Sequence, residues 1–133
     1  MLRQLIIRDF AVIETLDLQF QSGLIVFTGE TGAGKSILVD AMALVLGDRA
    51  DNTIIRGGCD RTEITAVFST EQNHAIRVFL DEQGIEYDDE ILIRRIINKE
   101  GRSRAFINGT PVPLQLLREL GEQLVDIHGQ NTH

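Results

Sequence analysis

Residues 29–36 read Gly29-Glu30-Thr31-Gly32-Ala33-Gly34-Lys35-Ser36, a full match to G-x-x-x-x-G-K-[ST], and no other stretch restricts the fold as tightly. Glycines at 29, 32 and 34 allow positive φ and let the backbone bend closely around a phosphate. Successive backbone N–H groups then point inward as an anion nest, and a helix starting in the loop adds its partial positive end. The octapeptide therefore demands a strand before it and a helix after it. Both are present in the pattern. Leu24-Ile25-Val26-Phe27 is a continuous apolar run, typical of a strand covered on both faces. From Gly34 onward, Ile37, Leu38, Ala41, Met42, Leu44 and Val45 cover most of a helix surface, and Gly47 fits its stop. The fixed positions alone recur by chance in roughly one chain of this length in a few hundred. A nucleotide phosphate site is thus preferred over a glycine-rich turn without a ligand. Lys35 offers a point charge to the β- and γ-phosphates, and the Ser36 hydroxyl is placed to ligate Mg²⁺. Residues Gly29 through Ile37 are the candidate nucleotide-contacting set.

Composition bounds the rest. A chain of 133 residues with 43% hydrophobic and 25% charged residues is long enough for one domain with a real core. The formal net charge of −7 disfavours holding nucleic acid through the overall field, so any DNA contact needs a local basic patch or another chain. Cys59 is the single cysteine, which excludes an internal disulfide and a multi-cysteine metal site and suits a reducing cytoplasm. It reads as a small, semi-buried side chain. No apolar run approaches the ~18 residues of a membrane span. The opening Met1-Leu2-Arg3-Gln4-Leu5-Ile6-Ile7-Arg8-Asp9-Phe10 does not read as a signal peptide.

Along the chain, Leu2 to Ile7 forms a short strand that breaks near Asp9-Phe10, and Leu16, Leu18 and Phe20 alternate as a second strand. Ile64 to Phe68 is another. Residues 73–83 read as a helix stopped by Gly84, and strands about 91–97 and 103–108 are joined by the turn Asn98-Lys99-Glu100-Gly101. Pro111 and Pro113 introduce a helix through about residue 121, and Leu124-Val125-Asp126-Ile127 reads as a last short strand. The expected class is an α/β phosphate-loop fold with β-hairpins flanking a partly parallel sheet.

A GTPase reading has two decoys, Asp81-Glu82-Gln83-Gly84 and Asn98-Lys99-Glu100-Gly101. In the second, Gly101 stands where a carboxylate would pair with guanine, and the first ends a helix rather than following a strand. A self-contained small-molecule kinase is the better rival, with Arg102 and Arg104 as lid arginines. Such kinases usually open directly on the phosphate-loop strand, whereas here a hairpin comes first.

Two strands, a buried strand and then GETGAGKS resemble the opening of an ABC-type ATPase head of the SMC-like group, and the wording is similar to the bacterial RecN family of DNA repair proteins. Leu5 to Ile13, Phe27 to Leu38, Leu46-Gly47-Asp48-Arg49-Ala50 and Asp126-Ile127-His128-Gly129-Gln130 carry the resemblance, which extends over residues 1–133. It implies that Gln130 is the Q-loop glutamine, a catalytic partner of Lys35 that touches the Mg²⁺ ion with Ser36 or the attacking water. It also implies that Arg56 approaches nucleotide or DNA, against a solvated loop arginine as the plainer reading. His128 beside the Q-loop reads as hydrogen-bonded scaffolding. No Walker B segment, signature motif or heptad arm is found in the sequence. The resemblance implies that these lie downstream, so the chain is expected to be the N-terminal lobe of a split head. Its implied partners are the C-terminal lobe, a second head across two ATP molecules, and DNA in the intact protein, with no membrane. Its implied location is the cytoplasm, on the nucleoid when acting on DNA.

Arg94, Arg95, Lys99, Arg102 and Arg104 face only one acid, Glu100, between residues 94 and 104. On a hairpin they could form a basic ridge for a phosphate backbone. A solvated hairpin with paired charges is the preferred reading, and without interleaved aromatics there is no support for stacking on single strands.

Overall fold

Alternate residues of the strands carry one continuous apolar face, and that face decides how the chain folds. The computed structural model describes residues 2–20, 32–50 and 52–129, with 32–35 and 125–129 as backbone only. In it, β1 (Leu2–Phe10) and β2 (Ile13–Gln19) form a hairpin. After helix α1 (Gly32–Val45) and a 3₁₀ turn (Asn52–Ile54) come β3 (Arg61–Ser69), α2 (His74–Gln83), β4 (Glu90–Asn98), β5 (Ser103–Ile107), β6 (Thr110–Val112) and α3 (Leu114–Gly129). The six strands lie in the order β2-β1-β3-β4-β5-β6, and every pairing among the described residues is antiparallel. A parallel strand would need the run Leu24–Phe27, which lies outside the described residues.

The registers set Leu5 opposite Ala66, Ala66 opposite Ile93, and Ile93 opposite Ile107, so one row of buried side chains crosses four strands. Ile7, Ile64, Phe68, Ile91 and Ile97 extend the same face. Helix α1 lies across β3 and β4, α3 lies over β5, and α2 packs against α3. Ala41, Leu44 and Val45 of α1 join Leu117, Leu120 and Leu124 of α3 in the same core cluster. Each fully buried leucine or isoleucine contributes about 1.5–3 kcal/mol relative to exposure.

The ends of the elements follow local chemistry. Asn73 caps α2, its Oδ1 accepting from the Ile76 N–H at 3.0 Å, and Gly84 ends the helix in the left-handed conformation at φ 71°. In the β4–β5 turn, Asn98 Oδ1 accepts from the N–H groups of Glu100 and Arg102. Asn108-Gly109, both at positive φ, make the two-residue turn into β6 that the right-handed twist of a hairpin favours. Asn108 also closes two neighbours: its Oδ1 accepts from the Leu92 N–H and its Nδ2 donates to the Glu86 carbonyl.

Several expectations need correction. The segment Leu124–Ile127 is not a strand but part of α3, which runs to Gly129 rather than ending near residue 121. Leu117, Leu120 and Leu124 recur at helical spacing and are all buried, so helical burial overrides the short apolar run. Pro111 lies in β6, a strand not foreseen, and α3 starts directly after Pro113. Strand β1 continues through Asp9, which holds φ 55°, to Phe10. Helix α1 begins two residues before Gly34.

The end of α1 and α3 approach each other closely through two glycines. A Cβ on Gly121 would lie 2.6 Å from the Leu46 carbonyl oxygen, and one on Gly47 would lie 2.9 Å from Arg118 Cα. Gly47 also holds φ 112°, which L side chains rarely adopt. Gly121→Ala recovers helix propensity of about 1 kcal/mol but must overpack, at about 1–3 kcal/mol. Gly47→Ala recovers nothing and adds backbone strain to the same kind of clash. Chemical denaturation is therefore expected to rank Gly47→Ala as the more destabilised, by about 2 kcal/mol or more.

Candidate nucleotide site

The site is built around α1, whose first turn contains the end of the phosphate-loop sequence. Gly32, Ala33, Gly34 and Lys35 are helical in backbone, so the free N–H groups of that helix start belong to these residues. Ser36 follows with its side chain exposed, free to reach a ligand at the helix start, and Ile37 is half-buried against the core. The first turn contains no acidic residue that would oppose an anion there. Gly29, Glu30 and Thr31 lie outside the described residues, as does Gln130. His128 lies in the last turn of α3.

What sequence reasoning missed is how the far end of α1 is held. The last turn of α1 contains no basic residue of its own, and two arginines from other elements take that place. Arg95 of β4 donates through Nη1 to the Leu44 carbonyl and, at 2.6 Å, to the Asp48 carbonyl. Its Nε donates to Ser103 Oγ on β5 at 2.7 Å. Arg118 of α3 donates through Nε to the Gly47 carbonyl at 3.1 Å. Two guanidinium groups thus add donors to carbonyls at and just beyond the helix end, where the Leu44 carbonyl also accepts from the Gly47 N–H at 3.1 Å.

Arg95 is 1% exposed, the largest fully buried side chain among the described residues. Burial pushes its pKa down to about 10, the nearby Arg118 charge adds to the fall, and Asp48 opposes it. It remains a guanidinium at neutral pH. The signal was present in the sequence: Ile91, Ile93, Arg95 and Ile97 share one parity of a strand, and that parity faces the helices.

The paired charges of the preferred reading are present at Arg94 and Lys99, while Arg95 departs from both readings of the hairpin. Arg95 points into the core rather than outward. Arg94 is on the opposite face, paired with Glu63 at 2.8 Å and lying 5.7 Å from the Phe106 ring centroid. Lys99 pairs with Asp60 at 3.3 Å. Arg102 and Arg104 are exposed, with the Arg104 guanidinium also 5.7 Å from the Phe106 ring centroid. Arg56 is half-buried beside the β1–β2 turn, its N–H donating to the Asp9 carbonyl at 2.9 Å. The two GTPase-like tetrapeptides have structural roles. One is the end of α2 with its glycine cap, and the other is the β4–β5 turn. Cys59 is partly buried. Among the described residues no group of three or more His, Cys, Asp or Glu side chains could hold a metal, and no helix is long and apolar enough to cross a membrane.

Comparisons with known proteins agree with this architecture. An AAA domain family model matches residues 4–132. The DNA repair protein RecN of Vibrio cholerae serotype O1 is 46% identical over 133 residues, spanning 100% of this chain and 24% of that protein. RecN of Halalkalibacterium halodurans is 47% identical over 134 residues, again 100% of this chain and 24% of the relative. The chain thus spans about a quarter of the length of these relatives. A structure from work on ATP-driven dimerization and DNA-stimulated activation of SMC ATPases superposes with a TM-score of 0.71 at 21% identity, covering 99% of this chain and 91% of that one. An Smc head domain from Pyrococcus furiosus, bound to the C-terminal domain of ScpA, gives 0.73 at 22% identity over 92% of this chain and 32% of that one. These likenesses show an SMC-head fold, and with relatives of this kind the small-molecule kinase is not favoured. Over its whole length the chain is similar to part of RecN proteins, and it belongs to the AAA domain family.

Proposed function

We propose that residues 1–133 are the ATP-binding N-terminal lobe of a split SMC-like ATPase head that acts in repair of DNA double-strand breaks. The observation that carries this is the sequence Gly29–Ser36 running into a helix that begins at Gly32, in a chain whose relatives are DNA repair proteins. Lys35 would neutralise β- and γ-phosphate charge, while backbone N–H groups of Gly29 to Ser36 cradle the phosphates. The exposed Ser36 hydroxyl fits a hard cation, and Ser36 with Gln130 would hold the Mg²⁺, which when bound neutralises charge on the phosphates. Gln130 would also orient the attacking water.

Neither a general base nor a signature motif is recognised in these 133 residues. In this reading both come from a C-terminal lobe, the signature motif acting across a dimer of heads with ATP between them. Binding then drives head dimerisation, and hydrolysis depends on electrostatic positioning completed by the other lobe. The protein would act in the cytoplasm, on the nucleoid. The exposed Ser36 and the likeness to SMC ATPases, for which ATP-driven dimerization and DNA-stimulated activation are described, support the reading.

Two measurements test it. In the intact protein, Lys35→Ala is expected to weaken MgATP binding by about tenfold or more, ~1.4 kcal/mol, while residues 1–133 alone turn over ATP negligibly. Sustained Lys35-dependent hydrolysis by that segment alone would overturn the split-head reading. For DNA, Arg102→Glu with Arg104→Glu in the intact protein is expected to leave affinity within about twofold, because the neighbouring cations are buried or paired. A fall in the salt slope of about 1.8, the loss of two phosphate contacts, would instead put the β4–β5 hairpin on the DNA.

A further inference from the structure

The inner face of the sheet is apolar except at one large side chain. Arg95 stands opposite Ile64 on β3 and Ala105 on β5, with Ile93 and Ile97 two residues to either side on its own strand. An isoleucine or leucine there would match its neighbours in shape but could not donate to the Leu44 and Asp48 carbonyls. The guanidinium is therefore to be read from what it holds. Its donors are directed at one target. The Leu44 and Asp48 carbonyls lie in the last turn of α1 and just beyond it, and Ser103 on the neighbouring strand fixes the plane of the fork.

Two acceptors four positions apart constrain both the axial position and the rotation of the helix end. Arg118 adds the Gly47 carbonyl from α3, and the bare Cα atoms of Gly47 and Gly121 let the two segments close on each other. Lys35 lies nine residues before Leu44 on the same helix, ~14 Å along its axis. A helix moves nearly as a rigid body over that length, so a shift at the held end reappears at the phosphate end. Binding needs donors placed to within a fraction of an ångström.

We propose that Arg95 is a positioning residue for the nucleotide site: by tying the carbonyls of Leu44 and Asp48 to Ser103 it sets where α1 presents Lys35 and Ser36. This rests on the MgATP reading above and deepens it. Arg95 touches no substrate and acts only through α1. Ser103 acts only through Arg95.

The test uses the intact protein and a fluorescent ATP analogue with Mg²⁺, titrated at a temperature where circular dichroism shows every variant folded. Arg95→Leu is expected to weaken binding about fivefold or more. Arg95→Lys, which keeps a donor but not the fork, should lie between it and the wild type. Ser103→Ala should weaken binding less than Arg95→Leu and add nothing in the Arg95→Leu background. Ile76→Val, a core truncation on α2 away from α1, serves as the control for loss of stability and should bind within about twofold of wild type. Lys35→Ala tests the site itself. If wild type binds and Lys35→Ala does not, but the Arg95 variants bind as wild type, the positioning role is overturned and the MgATP reading stands. The role also fails if Ile76→Val loses affinity in the same proportion to its loss of thermal stability. If Lys35→Ala changes nothing, both readings fall. Should Arg95→Leu not fold, Arg95→Lys and Ser103→Ala decide the matter: wild-type affinity in both overturns the proposal.

Discussion

The carbonyls at the end of α1 accept hydrogen bonds from two other elements, β4 and α3, and most of the architecture can be read outward from them. Leu44 and Asp48 are held by β4, Gly47 is held by α3, and Ser103 of β5 fixes the arginine that does the holding. Sheet, phosphate-loop helix and C-terminal helix thus meet at a point buried beneath α1. A helix end without partners leaves several carbonyls unpaired in an apolar environment, at about 1–3 kcal/mol for each group so stranded. Here the buried polar side-chain atoms among the described residues all have partners. The cost of desolvating the arginine is met by its hydrogen bonds to the Leu44 and Asp48 carbonyls and to Ser103 Oγ.

That arrangement also explains why the segment after α1 tolerates no bulk. A side chain at Gly47 or Gly121 would separate α1 from α3 before the Arg118 hydrogen bond could form. The second end of the sheet is secured by different means. The β1–β2 turn docks on the 3₁₀ turn, where the Ala11 N–H donates to the Ile54 carbonyl at 2.7 Å. The 3₁₀ turn and the segment after it meet the β4–β5 turn, since Asn52 Nδ2 donates to the Lys99 carbonyl at 2.7 Å and the Lys99 N–H donates to the Asp60 carbonyl at 2.9 Å. Three turns distant in sequence are thereby gathered at one end of the strands. This accounts for the brief apolar touch at Ile54-Ile55: Ile55 bridges Phe10 as a short antiparallel contact and forms no strand of its own.

Much of the fold was legible because it depends on local pattern. The helix after Lys35, the strand around Ile64–Phe68, the capped helix α2 and the β4–β5 hairpin all follow from periodicity and turn chemistry that a single sequence displays. Leu124–Ile127 suits a short strand because three of its four residues are apolar, whereas the buried stripe that Leu124 continues starts two turns earlier at Leu117 and passes through Leu120. The phosphate loop announces itself because its chemistry lies in eight consecutive residues. Arg95 does not, because a basic residue in a hairpin is usually solvated, and what buries this one is a helix formed some fifty positions earlier in the chain. Parity supplied the only clue: an arginine between Ile93 and Ile97 on one side of a strand shares their environment.

The division of labour among the hairpin arginines follows from that parity. Arg94 and Arg95 are adjacent, so a strand must send them to opposite faces. Arg94 goes to the outer face, where Glu63 on the next strand and the ring of Phe106 engage it. Arg95 goes inward to α1. A register slip of one residue would exchange them, placing an unpaired guanidinium in the core and an isoleucine row in solvent. The Ser103 hydroxyl, facing the same side as Arg95, penalises that slip further because its partner would leave. The contact that holds α1 in place therefore also fixes the pairing of β4 with its neighbours. One buried charge specifies both the strand register and the seat of the helix on which the phosphate-loop sequence ends.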